Sequence, residues 1–281
     1  MSYIKWGTAA PSGRILVIGG AESHCEHDDT ILDRFVEISG RGSARIIVIA
    51  TASGDPDKIE AEYIEVFTRL GAGHVEALRL EHREQANSDH AVALLRSATG
   101  VFFTGGDQLR ITTVLGGSRV DTILHERAED GLVLAGTSAG ATMMASTMIV
   151  EGQGSRVSPG SVRTGPGLEF VHGVLIDMHF AERGRLNRLL SAIAQYPHEL
   201  GLGIDENTAI LVEGSRFEVI GAGSVTVIDA GPASTIETPS EELGPIALCG
   251  VRLHVLPHGY TFELNGRQPR ITEAPEPEEQ P

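Results

Sequence analysis

Short apolar runs alternate with amphipathic stretches through the first half of the chain. This alternation constrains the fold more than any other feature. "RILVIGG" (Arg14–Gly20) is an apolar run ending in a glycine pair, the pattern of a buried parallel strand and its loop. "ARIIVIATAS", "HVEALRL", "GVFFTGGDQ" and "LVLAGTSAG" repeat it at 44–53, 74–80, 100–108 and 132–140. Between them lie helical patterns. "DTILDRFVEISG" sets Ile31, Phe35 and Ile38 on one face and stops at Gly40, and "DKIEAEYIEVFTRLGAG" stops at Gly71. "DHAVALLRSATG" is a third helix, and "TTVLGGSRVDTILHERAEDG" is helical in its second part.

Strand, helix and strand in this order predict an α/β fold with a mainly parallel sheet covered by helices on both faces. Ligands of such sheets bind beyond the carboxyl ends of the strands. Gly19-Gly20, Gly105-Gly106 and Gly136–Gly140 all fall at those ends, so they should meet on one rim. After about residue 205, "TAILVEGSRFEVIGAGSVTVIDAG" reads as an antiparallel meander that extends the sheet. We expect one domain over 1–272. "EAPEPEEQP", at 273–281, is an acidic, proline-rich tail expected to be disordered.

The 281 residues carry a formal net charge of −16, the opposite of a nucleic-acid binder. Two cysteines, Cys25 and Cys249, far apart and in no CxxC pair, argue against a disulfide framework or a cysteine-rich zinc site. The N-terminal "MSYIKWGTAAPSGR" has no signal-peptide core, and no apolar run reaches the length of a membrane span. A cytoplasmic protein with no membrane partner is expected. "SHCEHDD" gathers His24, Glu26, His27, Asp28 and Asp29, but its spacing fits no zinc pattern, and it can equally begin a helix. No metal or cofactor is expected. No GxxxxGK[ST] occurs, and "GGAE" is not the dinucleotide fingerprint.

Gly136-Thr137-Ser138-Ala139-Gly140 fits G-x-S-x-G, in which glycines permit a tight turn around a strained serine. The backbone N–H of Ala139 can then face a developing oxyanion at a helix start. Small residues packing at a strand-to-helix turn is the alternative. A serine nucleophile needs a base, and eleven histidines offer themselves. "GVLIDMHFAERGRLNRLL" is the best source, with Asp177 and His179 on one side of a strand end. Arg183, Arg185 and Arg188 follow, a cluster able to grip a carboxylate through bidentate bonds. "GLGIDENTAILV" supplies Asp205 and Glu206, either of which could orient the histidine. "FFTGGDQL" supplies a second backbone donor near Gly106 and the amide of Gln108.

"VIGGAE", "FFTGGDQLRI", "GTSAGA", "DMHFAERGRLNRL" and "GIDENTA", in this order from Gly13 to about Asp229, resemble the cyanophycinase branch of the S51 serine peptidases. The resemblance implies a three-layer α/β/α fold like class I glutamine amidotransferases and aspartyl dipeptidases. It implies Ser138 as nucleophile, His179 as base and Glu206 as orienting acid, with an oxyanion hole at the N–H groups of Gly106 and Ala139. Gln108, Asp177, Met178, Arg183, Arg185 and Arg188 match positions lining the substrate pocket. The implied substrate is cyanophycin, a poly-aspartate whose side-chain carboxylates carry arginine, cut along its backbone to release β-Asp-Arg dipeptides. The arginine cluster suits aspartyl carboxylates, and Asp177 could receive the substrate guanidinium. A homodimer and no cofactor are implied.

One position departs from the family pattern. Met178 stands where glutamine is usual, and a thioether is only a weak acceptor. An aspartyl or isoaspartyl dipeptidase with another preference is therefore an alternative. A non-catalytic binding protein on the same fold is a second.

Overall fold

The structure is a computed structural model that describes residues 13–22, 30–152 and 155–270. Its centre is a nine-stranded sheet. Five strands form a parallel block in the spatial order Arg14–Ile18, Val133–Thr137, Gly100–Phe103, Arg45–Ile49 and His74–Ala77. These are the five apolar runs of the sequence. Four antiparallel strands, Thr208–Glu213, Arg216–Gly221, Thr261–Glu263 and Gln268–Arg270, continue the sheet beyond Arg14–Ile18.

Side-chain alternation splits the parallel strands between two cores. Leu16, Ile18, Ile46 and Val48 pack with Phe35 and Phe67, from helices Thr30–Ile38 and Pro56–Arg69. Ile15, Val17, Ile47 and Ile49 face the other way, onto Leu95, Ile111 and Ile123. Those residues belong to helices Asp89–Ser97, Gln108–Leu115 and Arg119–Glu129. Both faces of the parallel block are thus covered, and burial on two sides explains why four of its strands read as apolar runs, while the edge strand His74–Ala77 is only half-buried.

The expected meander only partly extends this sheet. Ser224–Asp229 leaves it and joins a second, four-stranded sheet in the order Arg252–Pro257, Ser224–Asp229, Leu200–Ile204 and Val174–Met178. Ile176, Leu202, Ile204 and Val227 of this sheet pack into the same core as Val17 and Leu134. Its other face holds Leu175 and Ile228 against Leu189 and Ile193 of helix Leu186–Gln195. A β-hairpin, Thr147–Gly152 with Val162–Pro166, follows the one-turn helix Ala139–Thr142. Among the described residues no helix is long and apolar enough to cross a membrane. The His24–Asp29 cluster and the acidic tail lie outside the described residues.

Candidate active site

Three loops at strand ends converge beside the central sheet. The first follows Val133–Thr137. Ser138 has φ 51° and ψ −112°, and its N–H donates to the carbonyl of Ile18 at 3.1 Å. A non-glycine residue at positive φ is held there by its surroundings. Glycines alone fit around it. A Cβ on Gly136 would lie 2.2 Å from the Gly140 carbonyl oxygen, and one on Gly140 would lie 2.4 Å from that of Phe103. The elbow is therefore closed by backbone approach, and its serine side chain is presented outward.

The second loop follows Val174–Met178. His179 takes φ 48°, so strand alternation ends at Met178. Its N–H donates to the Gly19 carbonyl at 3.0 Å. The ring lies between two partners. Nε2 is 3.0 Å from Ser138 Oγ, and Nδ1 is 2.6 Å from Glu206 Oε1. With the ring proton on Nδ1, toward the carboxylate, Nε2 is left to accept the serine hydroxyl proton. The third loop follows Leu200–Ile204 and decides between the two acids of "DENTA". Glu206 reaches the histidine. Asp205 is buried and accepts from Ala181 N–H at 3.1 Å, and from Ser224 N–H and Oγ at 3.0 and 2.8 Å. It ties this loop to the one carrying His179.

Ser138 and His179 open into a cavity of about 280 Å³, also bordered by Gly106, Ala139, Met178 and three arginines, Arg183, Arg185 and Arg188. The glycine turn after Gly100–Phe103 stands beside the serine, since a Cβ on Gly105 would come within 3.4 Å of Ser138 Cβ. Glycine turns from two strand ends therefore meet beside one hydroxyl, as their positions in the sequence predict.

Two expected pocket residues, Asp177 and Gln108, are held by neighbouring groups, and of the two Gln108 borders the cavity. Asp177 is 1% exposed and does not border the cavity; its carboxylate accepts from Arg188 Nε at 2.9 Å, from Arg188 Nη2, and from Arg185 Nη1 at 3.4 Å. An acid so engaged cannot also receive a substrate cation, and its work is to aim two guanidinium groups. Gln108 borders the cavity, but its Nε2 donates to the carbonyls of Ile149 and Val150 at 3.0 and 2.7 Å. Burial pulls the Arg185 guanidinium down to about 10; Asp177 opposes that, while Arg188 and Arg183 add to it. It stays charged at neutral pH. One carboxylate against three guanidinium groups leaves this wall positive within an acidic protein.

Sequence reasoning missed a buried carboxylate behind the serine. Glu22 is 2% exposed and accepts from Tyr63 Oη at 2.6 Å and from Thr137 Oγ1 at 2.7 Å. Burial, then the Glu22 charge, push the Tyr63 hydroxyl well above its ordinary value, so it remains a donor. The glutamate of "VIGGAE" was the available signal. Among the described residues no group of three or more His, Cys, Asp or Glu is placed to hold a metal ion.

The model of peptidase family S51 matches residues 15–220, a span that carries all three converging loops. The chain belongs to peptidase family S51. As an S51 member it is a serine peptidase. It is 41% identical over 260 residues to the cyanophycinase of Nostoc sp. (strain PCC 7120 / SAG 25.82 / UTEX 2576), covering 90% of this chain and 86% of that protein. To the cyanophycinase of Geminocystis herdmanii (strain PCC 6308) it is 37% identical over 259 residues, covering 91% and 95%. Among solved structures, a peptidase from an acI-B1 Actinobacterium shares the fold. The TM-score is 0.66 at 20% identity, covering 91% of this chain and 98% of that one. A putative peptidase E from Listeria monocytogenes EGD-e gives 0.51 at 16% identity, covering 75% and 99%.

Proposed function

We propose that this S51 peptidase is an exopeptidase acting on the backbone of cyanophycin, releasing β-Asp-Arg dipeptides through Ser138, His179 and Glu206. The observation that carries the reading is the unbroken relay from Glu206 through His179 to Ser138, opening onto a wall of arginines. The relatives named cyanophycinase supply the polymer.

In this reading Ser138 Oγ bonds to the scissile carbonyl carbon as its proton passes to His179 Nε2. Glu206 stabilises the imidazolium that forms. The N–H groups of Gly106 and Ala139 receive the negative charge on the carbonyl oxygen. The C–N bond then breaks, the amine leaves with the proton from Nε2, and an ester to Ser138 remains. Water attacks this ester and gives its proton to His179; the bond from the acyl carbon to Oγ then breaks, Nε2 returns the proton to Ser138, and the carboxyl product leaves. The positive wall of Arg183, Arg185 and Arg188 binds the free carboxylates of the substrate, on its attached arginines and at its chain end, during both halves. The route uses no cofactor, and we expect the protein to act as a homodimer.

The test is release of β-Asp-Arg from insoluble cyanophycin, followed by mass spectrometry, with Ser138→Ala as the control. Release by the parent protein and none by the variant supports the reading. No release by folded protein across pH would overturn the substrate. Full activity of Ser138→Ala would overturn the mechanism.

Met178 favours a second reading on one point. It borders the cavity with a thioether, so this wall offers no side-chain amide to substrate at that position. An aspartyl or isoaspartyl dipeptidase would cleave Asp-X dipeptides and leave the polymer intact.

A further inference from the structure

Four successive residues, Ile149, Val150, Glu151 and Gly152, border the cavity. In a regular strand alternate side chains leave by opposite faces. The hairpin breaks that alternation here with a β-bulge. Ile149 pairs with Thr164 and Glu151 with Arg163, so Val150 is an extra residue without an opposite number. Bulges bend a strand and re-aim its side chains, and they gather near active sites. This one is clamped, since Gln108 Nε2 donates to the carbonyls of both Ile149 and Val150. The residue it delivers to the cavity rim is Glu151.

Among the described residues that border the cavity, Glu151 is the one carboxylate. The remaining charged side chains there, apart from His179, are Arg183, Arg185 and Arg188, which would repel a cation. Glu151 is 66% exposed and lies 2.9 Å from Arg163 Nε, itself 61% exposed. Exposed ion pairs of this kind are weak and exchangeable. Glu151 is therefore already seated on a guanidinium that a second guanidinium could replace.

We propose that Glu151 selects a cationic side chain on the substrate, taking a guanidinium in place of Arg163 while the arginine wall takes the carboxylates. The substrate class is then a zwitterionic peptide with its two charges held by different side chains bordering one cavity. This rests on the peptidase reading above and adds the group that reads the side chain.

The test compares two β-aspartyl oligomers that differ only in arginine or citrulline on the side chains. Citrulline keeps the shape and removes the charge. The parent protein should prefer the arginyl oligomer by roughly tenfold or more in kcat/KM, the scale of a charge-assisted hydrogen bond. Glu151→Gln should bring the ratio toward one. Arg163→Gln should raise it by about two- to fivefold, because Glu151 is then freed from its competitor. Both side chains are exposed, so these substitutions leave the core intact. Glu151→Gln with an unchanged ratio overturns this proposal alone. Parent protein that cleaves neither oligomer overturns the peptidase substrate, and this proposal with it.

Discussion

Gly20→Ala should disable the site while leaving the fold standing. A Cβ at position 20 would lie 2.3 Å from His179 Cε1, 2.8 Å from Nε2 and 2.9 Å from Nδ1. Carbon atoms rest about 3.5 Å or more apart, so either the ring or the turn must move by roughly 1 Å. The ring has no free direction, being held by Ser138 Oγ at 3.0 Å on one edge and by Glu206 at 2.6 Å on the other. A shift of that size lengthens one of these bonds beyond hydrogen-bond reach. Misplacement of a reacting group by about 1 Å costs on the order of 10²-fold, within the range that loss of a general base removes. We therefore expect kcat to fall by about 10²-fold, with KM within a fewfold because the arginine wall is untouched. Position 20 also holds φ 107°, a conformation costing an alanine roughly 1–3 kcal/mol. For a chain of this size that lowers Tm by about 2–10 °C. The assay is dipeptide release well below the melting transition. Labelling of Ser138 by a fluorophosphonate is the second readout, since it needs no substrate. Gly54→Ala is the control, because a Cβ there meets nothing within 4 Å. Gly20→Ala protein that is folded, labels normally and keeps kcat within threefold of the parent would refute the argument.

Glu206→Gln should lower kcat by about 10²–10⁴-fold with little change in melting, because an amide cannot stabilise the imidazolium; steady-state kinetics decides it. Asp177→Ala strands two largely buried guanidinium groups and should cost about 3–5 kcal/mol in urea unfolding, and a loss under 1 kcal/mol would contradict the ion-pair reading. Glu199 is buried, with Thr147 Oγ1 donating to one oxygen, and burial raises its carboxyl from 4.5 to about 7. A raised acid binds its proton more tightly in the folded state, so stability falls as pH rises from about 4.5 to 7 and levels off above. Glu199→Gln should flatten that part of a Tm-against-pH curve, and an identical slope in both proteins would refute it.

The parallel block was legible because four of its strands are buried on both faces and so appear as apolar runs, while the half-buried edge strand His74–Ala77 was placed by its position between two helical patterns. The second sheet was not. Arg216–Gly221 and Ser224–Asp229 carry similar residues, yet one pairs with Thr208–Glu213 and the other with Leu200–Ile204. That choice is made by long-range pairing, Val225 opposite Ile204, to which no local period responds. Asp177 misled for a related reason. Strand alternation set it beside His179, but His179 turns into positive φ and leaves the strand, while Asp177 stays in it facing the arginines. Glu151 was invisible because a bulge breaks the period by one residue.

The segment from Ile18 to Glu22 explains why motifs nearly 190 residues apart act together. Its successive groups each hold a different loop. Ile18 carbonyl accepts from Ser138 N–H, Gly19 carbonyl from His179 N–H at 3.0 Å, and Gly20 carbonyl from Asn207 N–H at 2.8 Å. Glu22 then accepts from the hydroxyl of Thr137, the residue before the serine. One short turn thus sets the serine, the histidine and the residue after the glutamate in register with one another. Backbone hydrogen bonds ask for no particular side chain, so three of these four ties leave no mark in the sequence. What they do leave is a demand for room. A Cβ on Gly19 would lie 2.0 Å from the Asp205 carbonyl oxygen, and one on Gly20 would enter the His179 ring. The glycine pair of "VIGGAE" is therefore as much part of the site as "GTSAG", because it is the space into which the other two loops fit.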